Sequence, residues 1–138
     1  MEDDKIVQYI VFPPMLSLTP GKLAAQAAHA ANKMRMEIAS KASEAPKLYA
    51  MLCEWEGNWG AGTTVVLQAD HIVSDYIWSQ IELLPEWNYS IHAGFWYDPS
   101  FPYEAMGRRL TTGADVCYYF FGYKSILSPF LKDLKLHP

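Results

Sequence analysis

The sequence predicts an α/β fold, a three-layer sandwich in which helices cover both faces of a four-stranded mixed sheet. Runs of β-branched and aromatic residues alternate with segments of helical periodicity, in the order β-α-α-β-α-β-β-α. The chain has 138 residues, close to the commonest size of one domain, and 51% of them are hydrophobic. We therefore expect residues 1–138 to form a single domain. Strands separated by helices should run parallel, and the last two strands antiparallel.

The first strand and the first helix have the clearest signals. Residues 5–12 form a β-branched and aromatic run of the length of a buried strand, and two prolines end it. Thr19 followed by Pro20 is typical of a helix start, so a helix is predicted over residues 20–38. The apolar residues of this helix that we expect to face the sheet are Ala24, Ala27, Ala28, Ala31, Met34 and Ile38.

The middle of the chain predicts a helix, a strand and another helix. Residues 43–55 carry apolar side chains on one side at helical spacing. Three glycines then break the chain before residues 63–69, a strand-like run rich in threonine and valine. Asp70 can cap the helix that follows, in which apolar residues recur at helical spacing until Pro85 stops the pattern.

The last third of the chain predicts two strands and a short helix. Residues 87–93 and 114–121 have the character of strands, and residues 125–134 that of a helix. Residues 94–113 between the strands contain two prolines and are too long for a simple hairpin turn. We interpret them as a functional or lid-like segment.

Composition and charge restrict the function classes. Eleven Lys and Arg against 15 Asp and Glu give a net charge of −4, which argues against nonspecific nucleic-acid binding by overall basic charge. Any RNA contact must rest on a local cluster of basic residues. The apolar stretches are far shorter than the roughly 20 residues of a membrane span, and the N-terminus lacks the features of a secretory signal. We expect a cytoplasmic protein that has no membrane partner.

The first helix carries a polar stripe. Lys22, Gln26, His29 and Lys33 are spaced by four, three and four residues, which puts them on one face. Lys22 lies in the first turn, where the helix dipole favours an anion and a cation is unfavourable. A bound phosphate, a carboxylate or a developing oxyanion would offset that cost, so the stripe is a candidate site. The alternative for the stripe is an ordinary solvated helix face. For His29 alone, the alternative is a half-buried histidine whose hydrogen bonds are satisfied within the protein.

Four segments resemble one protein family. Residues 21–30, GKLAAQAAHA, closely resemble the G-K-x-A-A-Q-x-x-H-A signature of the type-2 peptidyl-tRNA hydrolases. In the family's order, residues 63–69 are similar to its second strand, residues 92–94 (HAG) to its D-A-G motif, and residues 131–136 (LKDLKL) to its terminal G-H-L-K-L. The similarity spans residues 5–136, and only its first segment is specific by itself.

The resemblance implies an esterase with the fold of that family and with no metal or organic cofactor. Such enzymes hydrolyse the ester that joins a peptide to the ribose at the 3′ adenosine of tRNA. By motif position, Lys22 would be the cation that stabilises the oxyanion. Gln26 would be a polar positioning group, and His29 would be a supporting residue on the same helix face. Independently of the resemblance, the four histidines show no close metal-ligand spacing, so we expect no metal site.

The chain departs from the family where the catalytic carboxylate is expected. His92 stands in place of the Asp of D-A-G, and the family's next Arg and Thr are replaced by the aromatic residues Phe95 and Trp96. An imidazole can still act as a base near neutral pH. The catalytic residues are then expected to be Lys22, His92 and Gln26, converging on one cleft.

The expected ligand-binding residues add rings, acids and bases to this cleft. Trp96 begins a ring-rich segment that could stack on a nucleobase, or else cover the sheet edge or a subunit contact. Asp98 and Asp115 are carboxylates that could replace the missing one, although neither matches the motif. Basic residues of the first helix and the long loop could hold phosphate. The complete set is His29, Lys33, Trp96, Asp98, Arg108, Arg109 and Asp115.

Three function classes remain open from the sequence. The first is a hydrolase acting on peptidyl-tRNA. The second is a catalytically inactive protein of the same fold that binds a nucleotide, a tRNA end or another anionic ligand. The third is a structural subunit whose exposed aromatic residues form an oligomer interface, such as that of a homodimer.

Overall fold

The computed structural model describes residues 4–14, 18–57, 62–99, 102–105, 108–111 and 114–137. These residues form helices and strands in the order β-α-α-β-α-β-β-β-β-α-β. The strands are β1 (Ile6–Phe12), β2 (Thr63–Gln68), β3 (His92–Asp98), β4 (Pro102–Ala105), β5 (Arg108–Thr111), β6 (Ala114–Tyr123) and β7 (Lys135–Leu136). The helices are α1 (Pro20–Ser40), α2 (Pro46–Gly57), α3 (His71–Ile81) and α4 (Lys124–Leu131).

The main sheet has five strands in the order β3-β6-β1-β2-β7. β1 and β2 are parallel, while β6 is antiparallel to both β1 and β3. These pairings confirm the predicted mixed α/β sheet and its antiparallel last pair. The predicted count of four strands is wrong, because Lys135 and Leu136 add β7 antiparallel to the end of β2. A strand of two residues is too short to produce a periodic signal in the sequence.

The segment before β6 also differs from the prediction. The sequence predicts a strand over residues 87–93, whereas β3 begins at His92 and continues to Asp98. The residues before β3 form turns, in which Asn88 has a φ of 61°. Aromatic residues favour extended backbone, so the run after Gly94 extends β3 instead of starting a loop. Further along the same segment, β4 and β5 pair as a separate antiparallel hairpin.

Helices cover both faces of the main sheet. β1 is buried along its whole length, and its alternate residues point to opposite faces. Ile6, Ile10 and Phe12 pack against α1 and α2. Val7 and Val11 pack against α3 and α4 on the other face. The strand therefore contributes to two cores at once, which explains why all of its residues except Gln8 are apolar or aromatic.

Both predicted helix starts are capped as expected. The Thr19 hydroxyl accepts a hydrogen bond from the backbone N–H of Lys22 at 3.3 Å. The Asp70 carboxylate accepts one from the backbone N–H of Val73 at 2.8 Å. Each cap satisfies an N–H group that has no partner within its own helix. In the described part of the chain, no helix is long and apolar enough to cross a membrane.

The rotation of α1 about its axis differs from the prediction. Ala30, Met34 and Ile38 are the buried residues of α1, whereas Ala24 and Ala28 are exposed. The expected packing of those two alanines on the sheet is therefore wrong. The larger Met34 and Ile38 side chains bury more apolar area than alanine does, so they dominate the choice of face.

Gln8 is a fully buried polar residue within β1. Neither of its side-chain amide atoms has a hydrogen-bond partner among the described residues. Leaving a polar group unpaired in a core costs roughly 1 to 3 kcal/mol. We expect Gln8→Met to raise the free energy of unfolding by about 1 kcal/mol, measured by urea denaturation.

The matched control for Gln8→Met is Ile10→Met, two residues further along the same face of β1. It introduces the same side chain without removing an amide, so it should leave stability unchanged or lower it slightly. A loss of stability in Gln8→Met would show that the amide has a partner in solution, such as a buried water.

Candidate functional site between the first helix and the edge strand

One polar face of α1 lies along β3, the strand at the edge of the main sheet. Gln26, Lys33 and Glu37 recur on this face at helical spacing, and all three are half-buried. We call the line of contacts the α1–β3 seam. It consists of Gln26, His29, Lys33 and Glu37 of α1, His92, Phe95, Trp96 and Asp98 of β3, and Tyr119 of β6.

The first end of the seam is built around the amide of Gln26. Its nitrogen donates to Oδ2 of Asp98 at 2.9 Å. Its oxygen accepts from the indole nitrogen of Trp96 at 2.6 Å. The ring of His29 stacks on Trp96, with 5.2 Å between centroids and 30° between planes. Gln26 thus fixes the positions of a carboxylate and of a two-ring platform at the same time.

Lys33 occupies the middle of the seam. Its ammonium donates to the backbone carbonyl of Phe95 at 2.6 Å. It also lies 5.1 Å from the centre of the Phe95 ring and 3.9 Å from the Glu37 carboxylate. The Lys33 side chain therefore links α1 to β3. Its positive charge is already paired with groups of the protein itself.

The second end of the seam is a hydrogen-bonded group of three side chains. Nε2 of His92 lies 3.1 Å from Oε1 of Glu37. The Tyr119 hydroxyl donates to the same carboxylate oxygen. His92 and Tyr119 stack with 28° between their rings. His92 is 3% exposed and Tyr119 is fully buried, so the Glu37 carboxylate is the partner of two buried polar groups.

The ionisation of this group follows from its surroundings. Partial burial would raise the pKa of Glu37, but hydrogen bonds from His92 and Tyr119, with the charges of His92 and Lys33, outweigh burial and lower it. Burial, followed by the bond to Glu37, raises the pKa of Tyr119. At neutral pH, Glu37 is therefore ionised and accepts hydrogen bonds, while Tyr119 keeps its proton and donates.

Gly94 makes the contact between Tyr119 and Glu37 possible. A Cβ at position 94 would lie 2.2 Å from the Tyr119 hydroxyl oxygen and 2.4 Å from its Cζ. The ring therefore crosses β3 directly over the glycine to reach α1. The glycine of the HAG segment thus has a packing role in this chain.

The structure does not bring Lys22 and His92 together. Lys22 precedes Glu37 by 15 residues on α1, about 22 Å at a rise of about 1.5 Å per residue. His92 is bound to Glu37, at the far end of the seam from Lys22. The expected convergence of Lys22, Gln26 and His92 on one cleft is therefore wrong. The cause is the direction of β3 relative to α1. Asp98 lies near the start of the helix, at Gln26, and His92 lies near its end, at Glu37.

The other predicted residues divide into two groups. Those that meet on the seam are Gln26, His29, Lys33, Trp96 and Asp98. Arg108 and Arg109 belong to β5 and Asp115 to β6, where it pairs with Tyr97, but their side chains lie outside the described part of the structure. The nearby Arg35 is bound to Glu56. In the described residues of α1, two of the basic side chains are thus already engaged with acids.

Sequence reasoning missed Glu37 and Tyr119 as members of the seam. A signal for Glu37 was present, because it follows Gln26 by 11 residues and Lys33 by four, which places all three on one helical face. Tyr119 carries no comparable signal, since its sequence run predicts only a buried strand.

No family model and no curated protein matches this chain. In the parts of the chain that the structure describes, no three His, Cys, Asp or Glu side chains are grouped so that they could hold a metal ion. The first end of the seam offers a carboxylate, an amide and two stacked rings, close to the start of a long helix.

Proposed function

We propose that the chain is a peptidyl-tRNA hydrolase-like esterase in which Asp98, and not His92, supplies the catalytic carboxylate. The observation that carries this proposal is the hydrogen bond from Gln26 to Asp98. Lys22 precedes Gln26 by four residues on the same helical face. The bond therefore holds a carboxylate beside the same turns of α1 that carry the lysine of the GKLAAQAAHA segment.

The proposed reaction begins with a water molecule next to Asp98. The carboxylate takes one proton from this water as its oxygen adds to the ester carbonyl. The Lys22 ammonium and the free N–H groups of the first turn of α1 stabilise the resulting oxyanion. The bond to the ribose oxygen then breaks, and Asp98 returns the proton to that oxygen. The products are a peptide with a free carboxyl group and a tRNA with a free 3′ end.

The remaining groups at this end of the seam have supporting roles. Gln26 orients Asp98, because its amide donates to one carboxylate oxygen and is itself held by Trp96. The stacked pair of His29 and Trp96 offers a platform for the adenine ring at the end of tRNA. His92 is buried against Glu37 and does not contact substrate in this proposal.

The test is hydrolysis of a peptidyl-tRNA substrate by wild type, Asp98→Asn and Lys22→Ala. Asparagine keeps an acceptor for Gln26 and removes the base, so kcat should fall about 100-fold. Loss of Lys22 should also cost about 100-fold. The control variants Asp133→Asn and Lys132→Ala change exposed residues of the opposite sheet edge and should retain full activity. Equal losses in the controls, or an unchanged kcat in Asp98→Asn, would contradict the proposal.

A binding protein without turnover is the second candidate. The observation that favours it is the state of His92, which stands at the family's carboxylate position but is buried and occupied by Glu37. Wild type would then bind a tRNA end or a nucleotide without hydrolysing the ester. Lys22→Ala would abolish that binding, whereas Asp98→Asn would strengthen or preserve it by removing a negative charge.

A further inference from the structure

A cavity on the other face of the sheet from α1 has a composition unlike that of the α1–β3 seam. Its volume is about 290 Å³, and the described residues that line it are Asp75, Trp78, Ser79, Glu82, Phe95 and Tyr118. Three of these are aromatic and two are acidic. A cavity of this size lies at the lower limit of ligand pockets, so it fits one side chain or a similarly small group.

The rings form one continuous wall. Tyr118 lies in its middle, 6.0 Å from the centre of the Trp78 ring and 6.4 Å from that of Phe95. The Tyr118 hydroxyl donates to Asp75, which fixes the ring. Aromatic faces attract cations, and most strongly those of Trp and Tyr.

Two acidic residues line the same cavity: Asp75 lies within α3, and Glu82 directly follows its last residue. Asp75 and Glu82 are both exposed, and they are seven residues apart, which is about two helical turns. None of the described residues that line the cavity is basic. Lys33 reaches the Phe95 ring from the seam, where the Phe95 carbonyl and Glu37 hold its ammonium group. The described lining therefore carries two carboxylates and no basic residue, a charge balance that favours a cation over an anion.

The exposed residues of α3 indicate where such a cation comes from. Large apolar side chains stand exposed along α3 and just beyond it, beside the acidic residues: Ile72 is 82% exposed, Tyr76 65% and Leu83 79%. Exposed apolar residues on the helix that lines an acidic, ring-lined cavity are typical of a protein interface with a central anchor. A free metabolite would leave these residues in water.

We propose that this cavity binds the guanidinium group of an arginine side chain presented by a protein partner. The flat guanidinium stacks on the Trp78 ring, and the Tyr118 ring, which stands at 73° to it, forms a side wall. The guanidinium donates hydrogen bonds to Glu82 or Asp75, and apolar neighbours of the arginine cover Tyr76 and Leu83. This site is independent of the proposed hydrolysis.

The probes are the peptide acetyl-Gly-Leu-Arg-Leu-Gly-amide, the same peptide with citrulline for arginine, and butylguanidinium alone. Citrulline has nearly the shape of arginine but no charge. We expect the arginine peptide to bind at least about tenfold more tightly than the citrulline peptide, followed by calorimetry and by the indole N–H resonance of Trp78. Glu82→Gln should weaken the arginine peptide by about tenfold.

The matched control is Glu54→Gln, which removes the same charge from an exposed site on α2, on the opposite face of the sheet. It should leave binding unchanged, and circular dichroism should show both variants folded. The proposed site would be wrong if Glu54→Gln weakened binding of the arginine peptide as much as Glu82→Gln does. It would also be wrong if the arginine and citrulline peptides bound equally tightly, or if the indole N–H resonance of Trp78 did not shift on binding. If butylguanidinium alone bound as tightly as the arginine peptide, the inference that the arginine belongs to a protein partner would be wrong.

Discussion

Gly94→Ala is expected to lower the free energy of unfolding by about 3 kcal/mol. The new methyl group would lie 2.2 to 2.6 Å from three atoms of the Tyr119 ring. This ring is fully buried and its hydroxyl is bound to Glu37, so it cannot move without breaking that bond. The expected loss of stability is measured by urea denaturation, with the slope of the transition checked for change.

Gly57→Ala is the matched control for Gly94→Ala. Gly57 is the last residue of α2, and a Cβ there would meet nothing within 4 Å. Because alanine has the higher helix propensity, this variant should keep or slightly raise stability. If Gly94→Ala is as stable as Gly57→Ala, the Tyr119 ring does not cross β3 at Gly94.

Glu37→Ala is expected to cost about 3 kcal/mol of stability. The change leaves the buried His92 ring and Tyr119 hydroxyl without the carboxylate that both contact. Glu37→Gln should cost less than half as much, because its amide oxygen can still accept from Tyr119. Thermal and urea unfolding of both variants measures the difference. Glu44→Ala, at an exposed acid between α1 and α2, should change stability by less than about 0.5 kcal/mol.

The pH dependence of stability tests the same carboxylate. The lowered pKa of Glu37 means that the unfolded chain takes up a proton at this residue more readily than the folded chain does. Ionised Glu37 makes its full contribution to the free energy of unfolding above the ordinary glutamate pKa. This contribution disappears as the pH falls through the lower pKa that Glu37 has in the folded protein. The stability advantage of wild type over Glu37→Gln should therefore shrink below about pH 4.5. An advantage that is constant down to pH 2 would contradict this account.

These experiments also separate the two ends of the α1–β3 seam. Asp98 and His92 lie at opposite ends of β3 and contact different turns of α1. If Asp98 is the base, Glu37→Gln should keep the proposed esterase activity while it alters the surroundings of His92. If His92 were the base, the same variant would change the activity strongly.

Features that depend on neighbouring residues could be predicted from the sequence. Thr19 and Pro20 mark the start of α1, because capping is decided within one turn. The β-branched and aromatic run ending at Phe12 marks β1, because a strand buried on both faces is predominantly apolar. The polar spacing from Gln26 to Lys33 places these residues and His29 on one side of α1. Each signal lies within a few consecutive residues.

The partners of this side of α1 depend on contacts between distant parts of the chain. Glu37 meets His92 and Tyr119, which are 55 and 82 residues away in the chain. Asp98, and not His92, lies beside Gln26, because β3 extends past Gly94 and runs toward the start of α1. A shift of one residue rotates a helical face by about 100°. The rotation of α1 is set by the packing of Met34 and Ile38 in the whole core, which no local pattern of residues specifies.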